Sequence, residues 1–64
     1  MIVFTNEKSV HIFTPKGDMK CLPYGSYVEL LTANSTEFKV ALMNNERGIY
    51  DIPRKTFLKH FHRM

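Results

Sequence analysis

The side chains able to do covalent or metal chemistry are few: Cys21, His11, His60 and His62, with the acids scattered between them. His60-x-His62 is the only cluster of metal-ligand type. A structural zinc site takes four Cys or His ligands, and a catalytic one usually takes three plus a water. His11 or Cys21 would have to complete the set, and nothing in the spacing brings them near. Two solvent-facing histidines in a basic tail are expected, with no metal. Nucleophilic catalysis would need Cys21 or a serine beside a base and an orienting group. His11 could face Cys21 across a hairpin at Pro15–Asp18, yet an oxyanion site has no evident source. Paired carboxylates are absent, and the glycines stand singly at turns instead of forming a phosphate loop. Cys21, next to Leu22, reads as a buried thiol that behaves as a small hydrophobe. The chain is therefore expected not to be an enzyme and to hold no cofactor.

Binding chemistry is better supplied. Arg54, Lys55, Lys59 and Arg63 fall in residues 53–64, which contain no acid and carry +4. Residues 1–52 carry −1, so the net +3 belongs to the C-terminal segment. The cations interleave with Phe57 and Phe61. Basic groups pair with phosphates and exposed aromatics stack on bases, which would make a nucleic-acid surface. The competing expectation is that Phe57, Leu58 and Phe61 close a core while Lys and Arg solvate its outside. Tyr24, Tyr27 and Tyr50 form the second lead. They stand at a turn or at outward strand positions, and Tyr is enriched at protein interfaces. Leu31 and Met43 join that outward series, giving an apolar patch of the kind that marks a partner or dimer contact.

Size limits what these residues can build. The chain has 64 residues, 44% hydrophobic and 23% charged. One domain, residues 1–64, is the ceiling, and a domain this small buries only about 60% of its unfolded surface. A deep pocket of roughly 300–1,000 Å³ has little room to form. Five Phe and three Tyr set the chain apart from disordered sequences. One cysteine closes no intramolecular disulfide. Met1–Phe4 is too short for the apolar core of a signal peptide, and no stretch approaches the roughly 20 apolar residues of a membrane helix. A soluble cytoplasmic protein, monomeric or weakly self-associating, is the default expectation.

Short apolar runs separated by turn residues predict an all-β barrel or sandwich. Ile2–Phe4 is a first strand, ended by a polar turn or loop at Asn6–Ser9. Val10–Thr14 and Met19–Leu22 are paired strands around Pro15-Lys16-Gly17-Asp18, where Pro presets one turn angle and Gly frees another. Pro23-Tyr24-Gly25 breaks the chain. In Ser26–Thr32, Val28 and Leu30 face one way and Tyr27, Glu29 and Leu31 the other. In Glu37–Met43, Phe38, Val40 and Leu42 face one way and Lys39, Ala41 and Met43 the other. Such period-two alternation puts one face of each strand on a core. Ala33–Thr36 connects them as a hairpin. A turn at Asn44–Gly48 leads to a short strand, Ile49–Ile52. From Pro53 a helical turn is expected, with Phe57, Leu58 and Phe61 on one face. Five to six antiparallel strands and one helical turn follow.

The string LPYGSYVELLTANSTEFKVALMNNERGIYDIPRKTFL, Leu22 to Leu58, resembles the bacterial branch of the Src-homology-3-like barrels. Gly25 precedes a strand with Val28 and Leu30. Phe38-Lys39-Val40 supplies its hairpin partner. Gly48 and Ile49 lead to Pro53 and a closing pair, Phe57 and Leu58. The resemblance implies a small SH3-like β-barrel used as a binding module. The eukaryotic members resemble it less: their Pro-rich-peptide groove relies on a Trp and an acidic loop, and this chain has neither.

Two functions are thus in competition. One is a non-catalytic module that docks on a larger protein and modulates it, through Tyr24, Tyr27, Leu31, Met43 and Tyr50. The other is a nucleic-acid module using Arg54, Lys55, Lys59 and Arg63. A membrane partner is not expected.

Overall fold

The computed structural model describes residues 1–43 and 48–64. The strands are β1 (Val3–Asn6), β2 (Val10–Phe13), β3 (Met19–Leu22), β4 (Tyr27–Ala33), β5 (Glu37–Leu42), β6 (Ile49–Pro53) and β7 (Phe61–Arg63), with one helix, α1 (Arg54–His60), before β7. All described pairings are antiparallel, and the strands lie in the order β3-β2-β6-β5-β4-β1-β7. The mainly-β architecture with a short C-terminal helix is as expected. The turn expected at Asn44–Gly48 falls largely on residues 44–47, outside the described residues.

Local chemistry explains the hairpins. Between β2 and β3 the Thr14 N–H donates to the Asp18 carbonyl at 2.8 Å, and the Gly17 N–H donates to the Thr14 carbonyl at 2.8 Å. Gly17 sits at φ +93°, a conformation that a side chain would strain. Between β4 and β5, Asn34 Oδ1 accepts from the N–H groups of Thr36 and Glu37, both at 2.8 Å. This is the side-chain mimicry of a backbone turn for which Asn is selected.

The alternation in β4 and β5 sets two faces. Val28 opposes Leu42 and Leu30 opposes Val40 on the inner face, while Glu29 opposes Ala41 on the outer. The register then slips between Leu30 and Thr32, leaving Leu31 as an extra residue in a bulge. Inner-face residues from β2 to β7 join Phe57 of α1 in a single core that includes Ile12, Leu22, Val28, Val40, Leu42 and Ile52. Two elements at the sheet's ends, β3 and β7, both contribute to it. The sheet therefore curls around its own inner face.

Asn6 departs from expectation. It is the last residue of β1, not part of a polar turn, and it is the one buried polar side chain among the described residues. Its Nδ2 donates to the carbonyls of Lys8 and Pro23 at 2.8 and 2.9 Å, and its Oδ1 accepts from the Ser26 N–H at 2.8 Å. Burying an amide is tolerable when its hydrogen bonds are made. Here they fasten β1 to the loop before β2 and to the turn before β4.

The C-terminal segment also differs in detail. Pro53 ends β6 and caps α1, so the helix starts at Arg54. It stops at His60 because Phe61 is already extended, at φ −112° and ψ 147°. Phe61 is buried as the first residue of β7, not as a helical neighbour of Phe57. Leu58, expected beside them, is instead exposed. Seven residues are too few for a helix to be stable alone, so α1 depends on its packing. Phe57 provides that packing. Its ring stacks on Phe38 at 4.1 Å and on Phe61 at 4.8 Å, and meets Phe4 edge-on at 4.8 Å.

Phe57→Ala should cost about 3–5 kcal/mol, comparable with the whole stability of a small domain. The neighbouring Leu58→Ala should change stability by no more than about 0.5 kcal/mol. Urea unfolding of the two variants checks this; similar losses in both would contradict the packing described.

Candidate functional site

The strand registers assemble an outer sheet face from residues far apart in sequence. One row runs Ile49, Ala41, Glu29, Val3 across β6, β5, β4 and β1. It continues to Met64, whose N–H donates to the Val3 carbonyl at 2.9 Å. The next row runs from Met43, whose N–H donates to the Tyr27 carbonyl at 3.1 Å, through Tyr27 and Thr5 to His62. Met43, Tyr27, Ile49 and Met64 are all exposed, and Glu29 is the only acid in either row. This face thus holds two of the residues expected at a partner contact, Tyr27 on β4 and Met43 just past the end of β5. Leu31 lies further along β4, at the bulge, and is exposed.

Tyr24 is carried to the same region by the turn before β4. Gly25, at φ +79°, turns the chain there, and its N–H donates to the Asn6 carbonyl at 3.1 Å. Tyr24, Tyr27, Glu7, His62 and Met64 line an open hollow of about 550 Å³. His62 Nδ1 lies 3.0 Å from Glu7 Oε1, and the Glu7 N–H donates to the His60 carbonyl at 2.8 Å. The pair His60-x-His62 is thereby split: His62 engages an acid, and His60 is half-buried on the neighbouring turn of chain. Among the described residues no group of three or more His, Cys, Asp or Glu could hold a metal.

Two expectations are corrected. Tyr50 does not face outward. It opposes Val40, whose side chain is fully buried, and packs against the core. The Lys20 Nζ lies over its ring at 5.8 Å, and a Cβ at Gly48 would come within 2.6 Å of the ring. The reason is parity: Ile52, two residues on, is a core residue, so Tyr50 shares its face. Cys21 is likewise not buried. It opposes His11 on the hairpin, and both are exposed, because Leu22 and Val10 take the inward positions.

The basic residues separate into two places. Arg54, Lys55 and Lys59 lie on α1 and are exposed. Arg63 lies on β7 opposite Phe4. Phe57 and Phe61, open in sequence to either base stacking or core closure, are both buried in the core. The apolar and aromatic rows were concealed in sequence because β1 joins β4 and β7 joins β1 only through long-range pairing, while Ile49 enters the row from β6 across β5. Met64, Ile49 and Val3 therefore carried no local signal as members of one face. Compared with family models, with curated proteins and with solved structures, the chain matches none.

The next row of the outer face carries an ion pair. Lys39 Nζ lies 2.8 Å from Asp51 Oδ1, on residues directly opposed between β5 and β6. The hydrogen bond that Lys39 donates to the Asp51 carboxylate raises the pKa of the Lys39 ammonium above its ordinary value of 10.5. Burial opposes that shift, and the Asp51 and Glu37 charges reinforce it. A folded-state pKa above the unfolded one gives stabilisation that is complete below the unfolded value and is lost as pH rises through the folded value. In an NMR titration the Lys39 midpoint should lie above 10.5 and fall in Asp51→Asn. An unchanged midpoint would exclude the pair as its cause.

Proposed function

We propose that this chain is a small non-catalytic SH3-like module that docks on a larger protein through its outer sheet face and modulates that protein. The observation that carries the reading is the alignment of Tyr27 on β4 with Met43 just past β5, extended by Ile49 and Met64 and flanked by Tyr24. Apolar and aromatic groups gathered on one exposed face gain most by covering it with a partner. The resemblance over Leu22–Leu58 supports the same reading, since it falls on β4, β5, β6 and α1, the segment that sets the inner and outer faces.

The nucleic-acid reading retains the exposed cations Arg54, Lys55 and Lys59. It loses its stacking platform, because the two interleaved phenylalanines are core. Phosphate contacts alone give sequence-independent, salt-sensitive binding. No helix among the described residues is long and apolar enough to cross a membrane.

The experiment is affinity capture from lysate using the intact chain and a Tyr27→Lys, Met43→Lys double variant, each with and without nuclease. A specific protein should be retained by the intact chain, survive nuclease and raised salt, and be lost at least about tenfold in the folded double variant, a change of about 1.4 kcal/mol. Capture that disappears with nuclease, or that the double variant leaves intact, would contradict the proposal.

A further inference from the structure

A second surface lies apart from the tyrosine face and shares no lining residue with its hollow. Leu58 is 61% exposed on a helix held by the residue before it, Phe57. Arg54 and Lys55 stand four and three residues earlier, on the same side of the helix as Leu58. Together with Pro53, Ser35 and Thr36 these residues line an open hollow of about 510 Å³. Its apolar surface is Leu58 and the Pro53 ring; its rim is cationic, and no acid lines it. Glu37, opposite Pro53 in the ladder, and Asp51 line the adjoining hollow, which shares Thr36 and Pro53 with this one; Asp51 is already paired with Lys39.

The rim is preset. Arg54 Nη1 donates to the Asn34 carbonyl at 3.1 Å, and the guanidinium lies 5.3 Å from the centre of the Phe38 ring. The Arg54 N–H donates to the Thr36 carbonyl at 2.9 Å, tying the start of the helix to the β4–β5 turn. A guanidinium carries five donors in a fixed fork, so one anchored in this way can still grip a carboxylate. Ser35 and Thr36 add hydroxyls at the same edge.

We propose that this hollow binds an acidic peptide segment with one aliphatic side chain, the aliphatic group seated on Leu58 and Pro53 and the flanking carboxylates on Arg54 and Lys55. Charge complementarity selects the acidic partner, and the apolar floor selects the aliphatic group. A nucleic acid satisfies only the first requirement, because no aromatic ring lines the hollow and Phe57 and Phe61 are turned into the core.

The test is fluorescence anisotropy of the full chain with three labelled probes: an acidic peptide carrying a central Leu, the same peptide with Gln in its place, and a single-stranded oligonucleotide. The Leu peptide should bind, and binding should weaken about tenfold with the Gln peptide and again with Leu58→Ser or with Arg54→Gln, Lys55→Gln. The Tyr27→Lys, Met43→Lys variant should bind the peptide unchanged, which separates this surface from the docking face. Absence of peptide binding, equal binding of the Gln peptide, or binding indifferent to Leu58→Ser would overturn the proposal. So would tighter binding of the oligonucleotide than of the Leu peptide.

Discussion

The structure depends on the ring of Phe57. It stacks between Phe38 of β5 and Phe61 of β7 and receives the edge of Phe4 from β1. Those contacts join the middle of the sheet to one of its ends through a helix that could not stand alone. An aromatic pair contributes about 0.5–1.5 kcal/mol beyond its buried area, and Phe57 makes three. In a domain with so little core, that concentration decides whether the sheet can curl. The second fastening is polar. Asn6 ties β1 to two loops with hydrogen bonds that no apolar residue could supply.

Curling also decides what is left exposed. A sheet that buries one face around its own core leaves its other face to solvent. Most such faces are polar. Here Tyr27, Met43, Ile49 and Met64 are placed there, and the ion pair of Lys39 and Asp51 lies in the row beside them. The helix that plugs the core with Phe57 leaves Leu58 and its basic neighbours exposed. One packing event thus creates two exposed surfaces of different chemistry, one aromatic and apolar, the other apolar and cationic.

How much of this was legible in sequence follows from the range of the interactions. The β2–β3 and β4–β5 hairpins are local, and their alternation and turn residues announced them. The facing of Val28, Leu30, Phe38, Val40 and Leu42 followed from period two. Tyr50 reads as outward in sequence because its strand is short, so parity has no anchor unless Ile52 is known to be buried. Phe61 carried a helical spacing from Phe57 but belongs to a strand, since β7 forms only by pairing with β1 at the far end of the chain. Asn6 looked like a turn residue because nothing local shows the carbonyls of Lys8 and Pro23 converging on it. Tyr27 and Met43 were legible as outward residues; their union with Ile49 and Met64 was not.

Native-state hydrogen exchange tests the central role of Phe57 most directly. The N–H groups of Glu7, Gly25, Leu30 and Met64 close contacts among β1, β4, β7 and the turns beside them. If the Phe57 ring holds the sheet in one cooperative unit, these amides and those of β5 exchange at a common free energy, and Phe57→Leu lowers all of them by the same amount. If Phe57→Leu frees only α1 and β7 while the amides of β4 and β5 keep their protection, the core closes without it and the account is wrong.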